Sequence, residues 1–158
     1  MSPDTADHVI EFIEKNLSKD RKLLNVTFYG GEPLLSAGLV ASMAERLKCI
    51  AARKGIEFMF QFVTNGTLLT PAIVEKLKPL GLKEASITLD GPEAIPNLSR
   101  PFRSGGDSFQ QIVANLKAVC GMIDVNIGGN FTEANYREIP KLLGYLMDEG
   151  ITPEKILA

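Results

Sequence analysis

Four short apolar runs in this chain each break off in a polar, glycine-bearing turn, and a helical pattern follows each turn. The runs occupy residues 24–29, 58–63, 85–89 and about 123–127. They end in Gly30-Gly31-Glu32-Pro33, Thr64-Asn65-Gly66, Asp90-Gly91-Pro92 and Gly128-Gly129-Asn130. Strand-like and helix-like segments that alternate at roughly thirty residues per unit imply a parallel sheet with right-handed crossovers. The run Phe58-Met59-Phe60-Gln61-Phe62-Val63 is nearly all apolar, which predicts a strand covered on both faces. The fold class expected is therefore α/β, with about four βα units after an N-terminal helix, in a single domain over residues 1–158.

The helical segments carry their own boundary signals. Ser2 followed by Pro3 reads as an N-cap with proline at the first helical position, ahead of Val9, Ile10, Ile13 and Leu17. The second helix is expected over residues 36–53, with Leu39, Val40, Met43, Leu47 and Ile50 on one face. Thr70-Pro71 starts a third. Ser108 with Gln111, and Asn135 with Glu138, form capping-box patterns ahead of two more. Gly55, Gly81, Gly121 and Gly150 stand where helices should close. Residues 151–158 are expected to begin another strand.

The connections are unequal. Helix-to-strand links are short and end in glycine, whereas strand-to-helix links hold the chemically interesting residues. In parallel α/β architectures, ligands bind at the C-terminal ends of strands. Gly30 and Gly31 lack a Cβ, so a ligand can approach the main chain there, and Pro33 stops the strand. Carbonyls near residues 29–32 suit an ammonium, which donates three hydrogen bonds and accepts none. Asn65 brings two donors and an acceptor. Thr88 suits a sugar hydroxyl if it faces the rim. Asp90 reads either as a rim acid or as a former of the turn at Gly91-Pro92. Arg100 and Arg103 fit a carboxylate or a solvated loop. Together the set suits a zwitterionic ligand that carries a ribose.

Composition narrows the partners. Of 158 residues, 45% are hydrophobic and 23% charged, which is ordinary for a globular domain. The net charge of −2 gives no basis for non-specific binding to nucleic acid or a membrane surface. No apolar run is long enough to span a bilayer, and the acidic N-terminus is unlike a signal peptide, so a cytoplasmic location is expected. Cys49 and Cys120 match no zinc, haem or iron–sulfur spacing and are expected to be buried thiols. His8, the only histidine, is expected at the surface. Ser104-Gly105-Gly106-Asp107-Ser108 ahead of a helix is a weak phosphate candidate, without a P-loop lysine and with Asp107 opposing an anion.

Five motifs in order complete the picture: Tyr29-Gly30-Gly31-Glu32-Pro33-Leu34-Leu35, Thr64-Asn65-Gly66-Thr67-Leu68-Leu69, Thr88-Leu89-Asp90-Gly91-Pro92, Arg100, and Asn130-Phe131-Thr132 with Asn135. In this register the chain resembles the radical S-adenosylmethionine (radical SAM) superfamily, and within it the sulfatase-maturase-like, peptide-modifying branch. The resemblance implies a partial TIM barrel, and an oxidoreductase in which a [4Fe–4S] cluster cleaves SAM to a 5′-deoxyadenosyl radical. It assigns Gly30, Gly31 and Glu32, followed by Pro33, to the methionine amino group, Thr88 to the ribose and Arg100 to the carboxylate. Asn65 and Asp90 lie on the same rim, and residues 127–130 lie near the adenine. A protein or peptide substrate fits that branch, and sulfatase, peptide and small-molecule targets all stay open.

The chain also departs from that family. The family holds its cluster with a C-x3-C-x2-C loop after the first barrel strand, and this sequence has no such loop. Val63 stands where many relatives have glutamine, Pro96-Asn97 replace a His-Asp pair, and Asp107 replaces a glycine. Without three thiolates the chain has no means of ligating a cluster. The expectation is a core fragment of a radical SAM enzyme, inactive alone, with neither SAM nor cluster bound. The alternative is a degenerate α/β barrel module with no affinity for SAM. A half-barrel is also expected to expose sheet edges and some of Val26, Phe28, Phe58, Phe60 and Phe62, and so to self-associate.

Overall fold

A computed structural model describes residues 1–91, 108–130, 132–133, 135–152 and 156. The loop with Pro92, Pro96, Asn97, Arg100, Arg103 and Asp107 lies outside them, as does most of the strand expected after residue 150. The described chain runs α1 (Pro3–Asn16), β1 (Leu23–Phe28), a 3-10 turn (Pro33–Ser36), α2 (Ala37–Lys54), β2 (Glu57–Thr64) and α3 (Pro71–Leu77). A 3-10 turn (Lys78–Leu80), β3 (Leu82–Thr88), α4 (Ser108–Val119), β4 (Asp124–Gly128), a 3-10 turn (Tyr136–Glu138) and α5 (Ile139–Asp148) complete it.

The four strands are parallel and lie side by side in chain order, β1-β2-β3-β4. That order decides the architecture. A doubly wound sheet reverses its strand order and so places helices on both faces. Here the order never reverses, and right-handed crossovers stack every helix on the same face. The result is part of an α/β barrel, with one face covered and the other open.

Burial follows from this. Facing the helices, Phe60, Phe62, Ala85, Ile87, Leu89 and Val125 are fully buried. They pack against Val74, Leu77, Leu116, Val119, Leu142 and Leu146 in a single cluster. Phe60 is packed edge-on to both Phe28 and Phe62, with ring centroids 5.5 and 5.6 Å apart. Such a ring contributes about 2–3 kcal/mol by burial, so Phe60→Ala is expected to cost about 3–5 kcal/mol once the cavity is included. α1 packs on α2 through Ala6, Ile10, Met43, Leu47 and Ile50, with Leu24, Val26 and Phe28 of β1 against the same cluster.

Two sequence expectations fail here. β2 is not covered on both faces: Phe60, Phe62 and Thr64 are buried, while Met59, Gln61 and Val63 are only half-buried. The apolar Met59 and Val63 disguise the alternation. The expected exposure fails for Phe60 and Phe62, which sit beneath helices, while Val26, Phe28 and Phe58 are half-buried at the edge of the core. What the open face presents is polar: Thr27 and Gln61 pair across strands at 2.9 Å, and Asn126 donates to Glu84 at 2.5 Å.

Helix ends show how local chemistry sets boundaries. Ser2 accepts from Thr5 N at 3.1 Å and Thr70 from Ile73 N at 3.4 Å, with proline at the start of both helices. Gly55 closes α2 in the left-handed region at φ +70°, which an L side chain rarely adopts. The Asn135–Glu138 capping box does not form. Asn135 spends its side chain on Thr132, Asp90 and Asn130, and Glu138 pairs with Lys141, so α5 begins only at Ile139. α4 begins at Ser108, and the Gln111 side chain donates to Asn115. Cys120 is half-buried, but Cys49 is exposed, contrary to expectation, because its place on α2 faces away from α1 and the sheet. His8 is at the surface, as expected.

Candidate functional site

At the C-terminal end of the sheet lies an open cavity of about 800 Å³. Gly30, Gly31, Glu32, Asn65, Thr88 and Asp90 all line it, so the sheet gathers six of the eight candidate residues around one space. Pro33 stands just behind, as the first residue of the 3-10 turn. Arg100 is outside the described residues.

The two glycines make an edge of bare main chain. Gly30 has φ +154°, and a Cβ built on either Gly30 or Gly31 meets nothing within 4 Å. Space beside them, rather than tight packing, is what glycine supplies here. Glu32 then turns its carboxylate across to β2. Oε1 accepts from Leu34 N at 3.0 Å, and Oε2 from Asn65 N at 2.9 Å. The Thr64 hydroxyl donates to both oxygens, at 2.8 and 2.9 Å. These donors take most of the four lone-pair positions of a carboxylate. Glu32 therefore bridges the end of β1 to the end of β2, while the backbone before it stays open.

The second strand end is a tight turn. Thr64 accepts from Gly66 N at 3.1 Å, and Asn65 Oδ1 accepts from Thr67 N at 2.9 Å and Thr67 Oγ1 at 2.7 Å. Gly66 is required, with φ +78° and space for a Cβ only 3.0 Å from Ile87 Cγ2 and 3.1 Å from Ile112 Cγ2. Behind the turn, Asn115 of α4 is buried, and its Nδ2 donates to Gly66 O at 2.9 Å and Thr67 O at 2.8 Å.

The third and fourth strand ends repeat this construction. Asp90 is nearly buried, and its Oδ1 accepts from Asn130 N at 2.8 Å and Asn130 Nδ2 at 3.2 Å. Asn135 Nδ2 spans Asp90 O at 3.0 Å and Asn130 O at 2.9 Å. Asp90 thus ties the end of β3 to the end of β4, and the turn expected at Gly91-Pro92 runs into residues outside the described ones. Thr88 pairs in register with Gly128 on the uncovered face and looks into the cavity. Tyr29 and Leu35 stand exposed at the mouth.

Electrostatically the space is one-sided. Its described lining carries the carboxylates of Glu32 and Asp90 and no lysine, arginine or histidine. Carbonyls and carboxylates favour a cation or a hydrogen-bond donor there and disfavour a phosphate. An iron–sulfur cluster does not fit the residues present. Cys49 on α2 and Cys120 at the end of α4 lie outside the cavity lining. Among the described residues, no three His, Cys, Asp or Glu side chains converge on a common point.

Sequence reasoning missed Thr64 as a brace, and it missed Asn115 altogether. Asn115 did leave a signal: it falls between Ile112 and Val119 at helical spacing, where the stripe is otherwise apolar.

Parallel strands in chain order, with helices on one face and an acceptor-rich rim at the strand ends, define part of an α/β barrel. The Radical SAM superfamily model matches residues 2–146, and the chain belongs to that family. It is 33% identical over 148 residues to the uncharacterized protein MJ0907 of Methanocaldococcus jannaschii, covering 93% of this chain and 49% of that one. It is 30% identical over 118 residues to the radical SAM cyclopropyl synthase TigE of Paramaledivibacter caminithermalis, covering 74% of this chain and 24% of TigE. The AdoMet-dependent heme synthase of Methanosarcina barkeri is 32% identical over 117 residues, or 73% of this chain and 30% of the synthase. The chain therefore spans between about a quarter and a half of these relatives. The solved structure of native anSMEcpe with bound AdoMet superposes on 96% of this chain and 40% of its own, with a TM-score of 0.73 at 20% identity. Its form with AdoMet and the Kp18Cys peptide gives a TM-score of 0.74. These two similarities concern the fold. No helix among the described residues is long and apolar enough to cross a membrane.

Proposed function

We propose that this chain supplies the SAM-binding rim of a radical SAM enzyme whose iron–sulfur cluster is held by cysteines outside these residues. The observation that carries the reading is the bare main chain at Gly30 and Gly31, held at the edge of a cation-favouring cavity by the Glu32 brace. In this reading the open carbonyls near residues 29–32 accept the methionine ammonium. Thr88 meets the ribose, Asn65 offers its Nδ2 to the ligand, and residues 127–130 lie near the adenine. Arg100 is assigned to the ligand carboxylate. Glu32 ties the end of β1 to that of β2, and Asp90 the end of β3 to that of β4, so the rim holds its shape around the ligand.

In the full-length form the proposed chemistry is reductive cleavage of SAM to methionine and a 5′-deoxyadenosyl radical. A [4Fe–4S] cluster held outside these residues would supply the electron. The chain alone is then inactive and binds neither group. The proposed substrate is a protein or peptide, a choice supported by the amide- and hydroxyl-bearing open face at Thr27, Gln61, Ser86 and Asn126. Self-association in isolation is proposed through the free edges of β1 and β4, and the setting proposed is cytoplasmic.

Two measurements test this together. Calorimetry of the chain alone with SAM is expected to show no saturable binding. The full-length gene product, reconstituted with iron and sulfide without oxygen, is expected to bind SAM and release 5′-deoxyadenosine on reduction. A full-length product without three clustered cysteines, or without 5′-deoxyadenosine, contradicts the proposal.

A further inference from the structure

We infer that Asn115, a residue of the outer helix layer, is a positioning residue for the cavity rim. Only 6% of its surface is exposed, and it lies mid-helix on α4, where asparagine is a poor helix former. A buried amide is costly unless satisfied. Here its two donor bonds leave the helix, while its acceptor is used within it. Nδ2 donates to Gly66 O and Thr67 O, and Oδ1 accepts from Gln111 Nε2 at 3.0 Å. Gln111, one turn earlier, therefore orients the amide so that its donors face the turn.

The consequence at the rim follows from peptide geometry. In a trans peptide the carbonyl and the next N–H point in opposite directions. Asn115 draws the Gly66 carbonyl back into the helix layer, so the Thr67 N–H points forward, where Asn65 Oδ1 accepts it. That bond fixes the Asn65 side chain with its Nδ2 toward the cavity. The same turn presents Asn65 N to Glu32 and Gly66 N to Thr64. Asn115 touches no ligand-facing atom. It sets the direction of the peptide planes that hold Glu32 and Asn65 in place.

The test separates aim from bulk stability. Amide hydrogen exchange is measured by NMR on this chain as wild type, Asn115→Ala and Asn115→Asp. The aspartate keeps the shape but lacks donors when ionised. Both variants are expected to speed exchange at Asn65, Gly66 and Thr67 at least about tenfold more than at Phe62 and Ile87, where backbone bonds lie within the sheet. Equal acceleration everywhere, or wild-type protection at residues 65–67 in Asn115→Asp, overturns the inference. If both variants fail to fold, Gln111→Ala, which removes only the orienting bond, is expected to give the same local pattern more weakly, and its absence counts against the inference. A second arm rests on the proposed function. In the cluster-loaded full-length enzyme, Asn115→Ala is expected to weaken SAM binding about tenfold and leave the cluster spectrum without SAM unchanged. A changed spectrum or unchanged affinity contradicts the ligand side of the inference. If wild type itself does not bind SAM, the proposed function fails, and the exchange measurement still decides the role of Asn115.

Discussion

The two ends of the sheet are held by opposite charges. At the base, where helices run into strands, lysines reach carbonyls: Lys54 donates to Glu14 O and Leu17 O, Lys48 to Pro79 O and Lys78 to Met122 O, each at 2.6 Å. At the rim, carboxylates collect N–H groups and hydroxyls: Glu32 from Leu34, Thr64 and Asn65, and Asp90 from Asn130. Helix C-termini carry unsatisfied carbonyls and strand-to-helix turns carry unsatisfied N–H groups, so each end takes the charge its backbone calls for. The base bonds are made by long, largely exposed side chains that water can replace. The rim bonds are half-buried and connected to one another. The end that costs most to build is thus the end with the cavity.

Substitutions can break that contrast. The largest effect is expected from Glu32→Ala, which strands the buried Thr64 hydroxyl and the Asn65 N–H and should cost about 2–4 kcal/mol in urea unfolding. Gly66→Ala follows. Its Cβ would fall about 3 Å from Ile87 and Ile112 in a left-handed backbone, for a loss of about 2–3 kcal/mol in the same measurement. At the base, Lys54→Met should cost about 0.5–1 kcal/mol, and thermal unfolding in added salt should shrink the difference. A base lysine as costly as Glu32 would erase the contrast between the ends.

The smallest effect tests the base loop through pH. The Ser18 hydroxyl donates to the exposed Asp20 carboxylate and holds its pKa below the ordinary 3.8. A depressed carboxylate stabilises the fold above its unfolded value and loses that contribution as pH falls through its folded value. Asp20→Asn should therefore differ slightly from wild type near neutrality and converge with it in strong acid, by thermal melts across pH.

What was legible in the sequence was local. Each strand ending carried its own glycine or asparagine, each helix its own stripe, and four strands in order were enough to imply one rim. Motifs at four separate strand ends met at one cavity because a parallel sheet brings like ends together. What escaped depends on pairing between distant residues. Nothing near Glu32 announces that its carboxylate will be used by Thr64 and Asn65, because that requires the register of β1 on β2. The uncovered face of β2 was hidden by Met59 and Val63, whose side chains are apolar although one side of the strand is open. Asn115 stood in plain view within an apolar stripe, yet its partners are 48 and 49 residues away. The Asn135 cap failed for a local reason: Thr132 N and Oγ1 take its Oδ1, the atom that a cap would use.

The most direct test of the central claim is a crystal structure of the full-length, cluster-loaded protein with SAM. The methionine nitrogen is expected within about 3 Å of main-chain carbonyls near residues 29–32, with Glu32 still bonded to Thr64 and Asn65. SAM bound away from Gly30 and Gly31, or a Glu32 that has let go of β2, would contradict it.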